Sequence, residues 1–339
     1  MSKAVLLGYD LEQPSFRHRM RTLVGTLEAA GWQVRAERFP SGRYGLRTWE
    51  RRSLLREADV VVLHQIKLSS MEARLFAFFS RRRIFDVDDA IYVRKPRRLG
   101  DAADDSPWRK RKFAATCRWV DVVAAGNDVL AGVARASARA VTILPTSIDT
   151  AAYQPTRAAA DDPPTIVWIG SPENLVYLEM IRPALARLTG RYPTLKMRVI
   201  CSRFPDWSEV NIERIAWNSA TEAEALAAAH IGVMPLTDDE WARGKCAFKL
   251  LQYMAAALPC VASPVGANTE AVIDGFNGFH ARTVDEWEQR LEFLIRSPEV
   301  RASFGASGRA HVESRYAMRT HQARYLELLR RVAAGSSAD

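Results

Sequence analysis

Apolar positions in the first 150 residues come in short runs separated by longer, mixed stretches. KAVLLG (3–8), WQVRAERF (32–39), ADVVVLHQ (58–65), RIFDVDD (83–89), DVVAAG (121–126) and AVTILP (140–145) each predict a strand. Between them the pattern predicts helices over about 16–30, stopped by Gly31, then 70–80 and 106–119. Short strands alternating with helices are the mark of parallel β-α units. Residues 151–164, AAYQPTRAAADDPP, interrupt this with three prolines and read as a linker. The alternation then restarts with TIVWIG (165–170), a helix over about 175–189, and strands at 195–200, 211–217, 230–236 and 260–263. Runs this apolar suit strands covered on both faces. Three helices close the chain, at 284–296, 298–314 and 319–333.

The fold predicted is therefore α/β, with two doubly wound Rossmann-like domains facing a central cleft. The expected boundaries are a first domain over 1–150, the linker over 151–164, a second domain over 165–318, and a C-terminal helix over 319–339 that packs back on the first domain. Ligands of such sheets bind where loops converge at the strands' carboxyl ends, and two facing sheets enclose a site between them.

Composition narrows this picture. A chain of 339 residues with 48% hydrophobic content has material for two cores. No apolar run approaches the roughly 18 residues of a membrane span. The start, MSKAVLLGYD, lacks the apolar length of a signal peptide. Cys117, Cys201, Cys246 and Cys260 are scattered, as are the six histidines, so a reducing, cytoplasmic setting is expected, without a metal site.

Charge is uneven. Residues 1–150 hold 27 Lys+Arg against 17 Asp+Glu, and the remainder 21 against 22, so the whole +9 excess lies in the first half. RRR (81–83), RKPRR (94–98) and RKRK (109–112) are its clusters, suited to an anionic membrane surface or to nucleic acid. Aromatic residues are not interleaved with them as in a base-stacking platform, which argues against nucleic acid.

The chemistry concentrates in KCAFKLLQYMAAALPCVASPVGANTEAVIDGFNGF (245–279). A largely apolar helix is expected to start near Lys245 and to stop at Pro259. Lys245, Lys249 and Gln252 would share one face of it, by their i, i+4, i+7 spacing. The strand CVAS leads through Gly266 into a second helix, capped near Asn268 or Thr269 and closed near Gly275. Two helix N-termini at one strand edge, with two lysines, make an anion trap suited to a diphosphate.

This stretch resembles the nucleotide-sugar-binding segment of retaining GT-B glycosyltransferases, especially glycosyltransferase family 4, with its pattern KLxEYMAxGxPVVAS, GG-x-x-E-V-V and DG-x-x-G-F. TIVWIGSPENLVYL and ILPTSIDTAAYQP resemble the family's second-domain start and its crossover segment. The resemblance implies a nucleotide-diphosphate-sugar donor on the second domain and an acceptor on the first. Backbone around Cys246, Ala247 and Phe248 would face sugar and β-phosphate. Lys249 would stabilise the leaving group, and Gln252 would reach the ribose. Gly170 and Ser171 would approach the diphosphate, Trp217 and Asn218 the base. Glu270, after Gly266, matches the family's glutamate. The family often carries two glutamates eight positions apart; here those places hold Gly244 and Gln252.

In the first half, Ser15, Arg17 and Arg19 follow strand one, and His64 ends another strand; all four are candidate acceptor contacts. Asp88 and Asp89 fall where the family has a catalytic-cleft histidine, so a carboxylate there would orient or deprotonate the acceptor hydroxyl. With Lys249 they are the candidate catalytic residues. The expected activity is sugar transfer with retention, by same-face attack and with neither metal nor cofactor. The acceptor is expected to be lipid-linked or a saccharide, in polysaccharide or glycolipid assembly at the inner membrane face. The alternatives are a nucleotide-sugar 2-epimerase, a degenerate glycosyltransferase subunit and a non-catalytic basic nucleic-acid-binding protein.

Overall fold

The computed structural model describes residues 1–42, 45–96, 98–101, 106–155 and 164–335. Two parallel sheets of six strands dominate it. The first contains β1 (Ser2–Gly8), β2 (Trp32–Arg38), β3 (Val60–His64), β4 (Arg83–Val87), β5 (Val122–Ala125) and β6 (Val141–Ile143), in the order β2-β1-β3-β4-β5-β6. The second contains β7 (Thr165–Ile169), β8 (Lys196–Cys201), β9 (Ile212–Ala216), β10 (Ile231–Met234), β11 (Cys260–Ala262) and β12 (Gly278–His280), in the order β12-β11-β10-β7-β8-β9. The order reverses at β1/β3 and at β7/β10, and those two points are where such sheets open to ligands.

Side-chain alternation explains why both faces are covered. Val5, Leu7, Val61, Leu63, Phe85 and Val123 point to one face of the first sheet and bury Phe76, Phe113 and Leu130. Ala4, Leu6, Val60, Val62, Ile84 and Val122 point to the other, where they meet Phe16, Leu23 and Leu27. Tyr325, Leu328, Leu329 and Val332 complete that second layer. They come from the last helix, Met318–Ala334, so the end of the chain is core to the first sheet. The second sheet buries Leu250, Leu251, Tyr253 and Met254 on one face and Leu185, Leu188, Trp287 and Leu291 on the other.

The chain passes between the sheets twice, and the two passages are joined: the Ile148 amide donates to the Tyr316 carbonyl at 2.9 Å and the Met318 amide to the Ile148 carbonyl at 3.0 Å. Of the segment expected as a linker, Thr150–Ala152 form a short 3-10 turn, and 156–163 lie outside the described residues.

Several elements differ from expectation. The helix expected over 16–30 is broken into Pro14–Arg19, a 3-10 turn Arg21–Leu23, and Val24–Ala29. Thr22 Oγ1 donates to the His18 carbonyl at 3.0 Å, a side-chain bond that competes with the backbone ladder. The helix expected over 175–189 is a 3-10 segment, Pro172–Met180, followed by Arg182–Arg191. Pro183, lacking an amide proton, fits only the first turn of the second piece. Beyond Gly275, where no strand was expected, lies the edge strand β12, which is too short to show alternation.

Candidate functional site

The carboxyl edges of the two sheets meet, and the predicted residues fall into four groups along that seam. The first is on the N-terminal side. Ser15 Oγ lies 2.7 and 2.6 Å from the two Asp88 oxygens and 2.8 Å from His64 Nε2. Gln65 Nε2 donates to Ser15 Oγ at 3.1 Å and also to Asp88. Gln65 holds φ at 55°, a conformation that side chains adopt at a cost, directly after β3. Behind this layer, His64 Nδ1 lies 2.8 Å from Asp86 Oδ1. Arg19 grips the same carboxylate twice, at 2.9 and 2.8 Å, and Tyr325 Oη donates to it at 3.3 Å.

That arrangement corrects the reading of Arg19 as an acceptor contact. Its side chain is fully buried, and its remaining donors go to the Leu144 carbonyl and Thr146 Oγ1. The guanidinium holds Asp86 far below the usual carboxylate range, against the burial that would raise it, and the His64 bond adds to this. His64 is also buried, so it orients Ser15 and Asp88 without reaching the open seam itself. Arg17 crosses the seam instead, with its guanidinium 5.8 Å from the Trp217 ring centroid. His18 follows it, its ring 4.3 Å from that of Phe248. Burial and the neighbouring Arg17 depress the His18 imidazole to about 4, so it is neutral at pH 7.

The second group is cationic. Lys245, Lys95 and Lys249 all act on the Asp89 carboxyl electrostatically. Burial first, then repulsion from Lys245 and Lys95, lowers the Lys249 ammonium to about 7. The same causes lower Lys95 to about 8, burial again leading, with Lys245 next. Asp89 is raised by burial and by Asp88, and pulled down by the three lysines. Lys95 comes from the first domain and donates to Asn174 Oδ1 of the second at 2.8 Å. The three lysines face Asp89, with Glu173 also beside Lys95, and an added anion would favour the protonated ammonium forms that burial and mutual repulsion disfavour. Gly170, directly after β7, makes the space: a Cβ there would lie 2.8 Å from Lys249 Cε. Ser171 caps the following turn and accepts from Asn174 Nδ2 at 2.9 Å.

The loop entering the helix Phe248–Ala255 corrects a second expectation. The helix starts at Phe248, not near Lys245, because Ala247 sits at φ 54° and reverses the backbone. Lys245 is therefore off the helix, packed toward Trp241 and Tyr177, at 5.5 and 5.9 Å from their ring centroids. A Cβ on Gly266, at φ 53°, would press into the Arg243 carbonyl; the short helix Asn268–Ala271 has Ala267, not Asn268 or Thr269, before its first turn. It ends at Val272, so Gly275, at φ 75°, turns the chain toward β12 and is not its cap.

The third group lies beyond the helix. Gln252 is buried and donates to Tyr153 Oη at 3.0 Å, which in turn contacts Glu222 Oε1 at 3.4 Å. Trp217 Nε1 donates to Glu222 Oε2 at 2.7 Å, and the Trp217 ring is 41% exposed, outside any core. Asn218 accepts from the Ala220 amide through Oδ1 at 2.9 Å and so shapes the turn. Burial raises the Glu222 carboxyl, with the Trp217 bond opposing it.

The fourth group is the contact between domains. A Cβ on Gly244 would lie 2.5 Å from Ala90 Cβ, and one on Gly126 would lie against Cys246 Sγ. Asn127 Nδ2 donates to the Gly244 and Lys245 carbonyls at 3.0 and 3.1 Å. Gly244 and Cys246 thus form the seam itself, and a glutamate at 244 has no room. Burial pushes the Cys246 thiol well up, so it is not a nucleophile at neutral pH. Glu270 is exposed, with Asp128 and Arg315 as its charged neighbours, away from the lysines.

Sequence reasoning missed Lys95, Gln65, Glu222 and Tyr153. Lys95 carried a signal as part of a basic run, and Tyr153 lies in the crossover-like segment ILPTSIDTAAYQP; Gln65 and Glu222 lie in segments whose spacing has no motif.

The architecture is GT-B, two Rossmann-like domains meeting edge to edge. Residues 163–297 match the family model described as Glycosyl transferases group 1. Over 71 residues, 21% of this chain and 17% of the other, the sequence is 30% identical to trehalose synthase from Pyrococcus horikoshii. The match thus spans about a sixth of that protein's length. Sucrose-phosphate synthase from Thermosynechococcus elongatus superposes with a TM-score of 0.74 at 12% identity, covering 99% of this chain and 100% of that one. HepE from Anabaena, solved in complex with UDP-glucose, gives 0.72 at 14% identity, covering 97% and 100%.

Proposed function

We propose that the protein is a glycosyltransferase that moves a sugar from a nucleotide diphosphate to an acceptor hydroxyl with retention. The observation that carries this is the convergence of Lys95, Lys245 and Lys249, from both domains, beside the glycine that follows β7. The HepE structure with UDP-glucose supports a nucleotide sugar as the occupant. The diphosphate lies among the three ammonium groups. Its nucleoside extends toward Trp217 and Glu222, where Glu222, through Tyr153, supplies the carboxylate that Gln252 does not.

The acceptor hydroxyl approaches from the first domain, in front of Ser15 and Asp88. The bond from sugar C1 to the β-phosphate oxygen breaks, and a bond from the acceptor oxygen to C1 forms on the same face. The acceptor's proton passes to the departing phosphate oxygen, while Asp88 orients the hydroxyl. Fixed ammonium groups meet the charge on the leaving diphosphate without a metal ion or cofactor. The acceptor is lipid-linked or a saccharide, and the reaction serves polysaccharide or glycolipid assembly at the inner, cytoplasmic face of the membrane.

Labelled UDP-, GDP- and ADP-sugars, offered with a polyprenyl-diphosphate-linked saccharide, test this. One donor should be consumed only with acceptor present, and Asp88→Asn should lower kcat about a hundredfold with donor affinity retained. Donor epimerised without acceptor would indicate the 2-epimerase. Donor bound but never turned over would indicate a degenerate subunit.

A further inference from the structure

The basic runs of the first domain are largely engaged within the molecule. Arg81 pairs with Asp59, and Arg82 and Arg83 with Asp121. Lys95 belongs to the lysine cluster, Arg109 donates to the Ile91 and Val93 carbonyls, and Lys110 pairs with Glu240 across the seam. Arg98 and Arg111 of these runs remain exposed.

Two neighbouring helices, Leu46–Glu50 and Ser70–Phe79, expose Leu46 (44%), Trp49 (50%), Met71 (69%) and Phe78 (76%). Met71 and Phe78 are seven residues apart and share one side of their helix. The Trp49 ring lies 5.6 Å from Phe79 and the Phe79 ring 5.2 Å from Phe78, so the buried Phe79 links the two exposed rings from beneath. A buried ion pair, Arg47 to Glu72 at 2.6 Å, clamps the two helices together beneath it. Arg52 lies over Trp49 and Arg56 over Phe79, each 4.9 Å from the ring centroid. Neither guanidinium has a carboxylate partner among the described residues.

We propose that this face docks the protein on an anionic lipid bilayer, with Trp49, Met71 and Phe78 entering the interface and Arg52 and Arg56 binding lipid phosphates. Charge decides for this occupant: arginines without carboxylate partners rim the apolar residues, in the half of the chain that holds the whole basic excess. Guanidinium groups take phosphates in forked contacts, and indole rings settle at the headgroup level. Leu46 and Met71 stand at helix starts that follow the carboxyl ends of β2 and β3, the edge that also carries His64 and the Ser15–Asp88 pair, while Phe78 lies at the far end of its helix, toward β4. The docking face therefore runs along the flank of the first sheet and reaches the seam at its Leu46–Met71 end. That a lipid-linked acceptor enters there rests on the glycosyl-transfer reading; the docking does not.

Flotation with phosphatidylglycerol-containing vesicles and with pure phosphatidylcholine vesicles tests it, using the full chain, Trp49→Ser/Phe78→Ser and Arg52→Glu/Arg56→Glu. Melting curves and nucleotide-sugar titration of each variant report folding and donor binding separately. The wild type should float with anionic vesicles, less so at high salt, and each double variant should lose at least tenfold in partitioning with unchanged melting. A wild type that ignores anionic vesicles, or variants that float equally, would overturn the proposal. So would a concentration-dependent dimer abolished by Phe78→Ser without vesicle binding. Vesicle binding without any nucleotide-sugar binding would leave docking standing and remove the transfer reading.

Discussion

Lys249 is where sequence chemistry and local geometry meet. Its ammonium is lowered to about 7 by burial and by Lys245 and Lys95, and Lys95 is lowered to about 8. A bound diphosphate raises both, because an opposite charge favours the protonated form. Donor affinity should therefore be full below about pH 7 and fall as pH rises from 7 toward 9, with proton uptake on binding near pH 8. Calorimetry in buffers of different ionisation enthalpy reads both, and a pH-independent affinity would contradict the assignment. Gly170 offers a second residue-scale check. Its missing Cβ is what lets Lys249 Cε approach, so Gly170→Ala should push the ammonium aside and cut transfer about tenfold with little change in melting temperature. Neither the depressed lysine nor the tight glycine is visible in spacing alone: the first depends on burial and on Lys245 and Lys95, the second on Lys249 and Trp168 packing against Gly170.

At the scale of elements, the last helix is the least obvious part of the first domain. Leu329 is fully buried against β-strand residues more than 240 positions away, such as Val62 and Ile84. Leu329→Ala should destabilise the protein by about 2–5 kcal/mol in denaturant unfolding. A change under about 0.5 kcal/mol would mean the helix packs loosely. Strands such as VVVLH and TIVWI were legible because parallel strands buried on both faces are continuously apolar. The break at Pro183 could have been read from the proline; the one at Thr22 could not, because a hydroxyl bonding back to a carbonyl leaves no pattern. The motif helix was legible as an element but not in its start. A positive φ at Ala247 has no sequence signature when the residue is not glycine, and it took Lys245 off the face expected for it. Lys249 and Gln252 remain on the helix yet serve different groups, the lysine cluster and the Tyr153–Glu222 pair.

For the molecule as a whole, the domains meet through glycines that tolerate no side chain. A Cβ on Gly244 would press into both the Cβ and the backbone nitrogen of Ala90, at 2.5 and 3.0 Å. Gly244→Ala should hold the domains apart, increase the radius of gyration measured with donor present, and lower kcat more than donor affinity. An unchanged radius and kcat would show that closure does not pass through this contact. The central claim is that both domains contribute ammonium groups to one diphosphate site. Its most direct measurement is calorimetric titration of the nucleotide sugar that best raises the melting temperature, against wild type, Lys249→Ala and Lys95→Ala. Losing a charge-assisted contact is worth about 1.5–3 kcal/mol, so each variant should bind about 10- to 100-fold more weakly. Equal affinity in all three proteins, or no nucleotide sugar bound by the wild type, would contradict it.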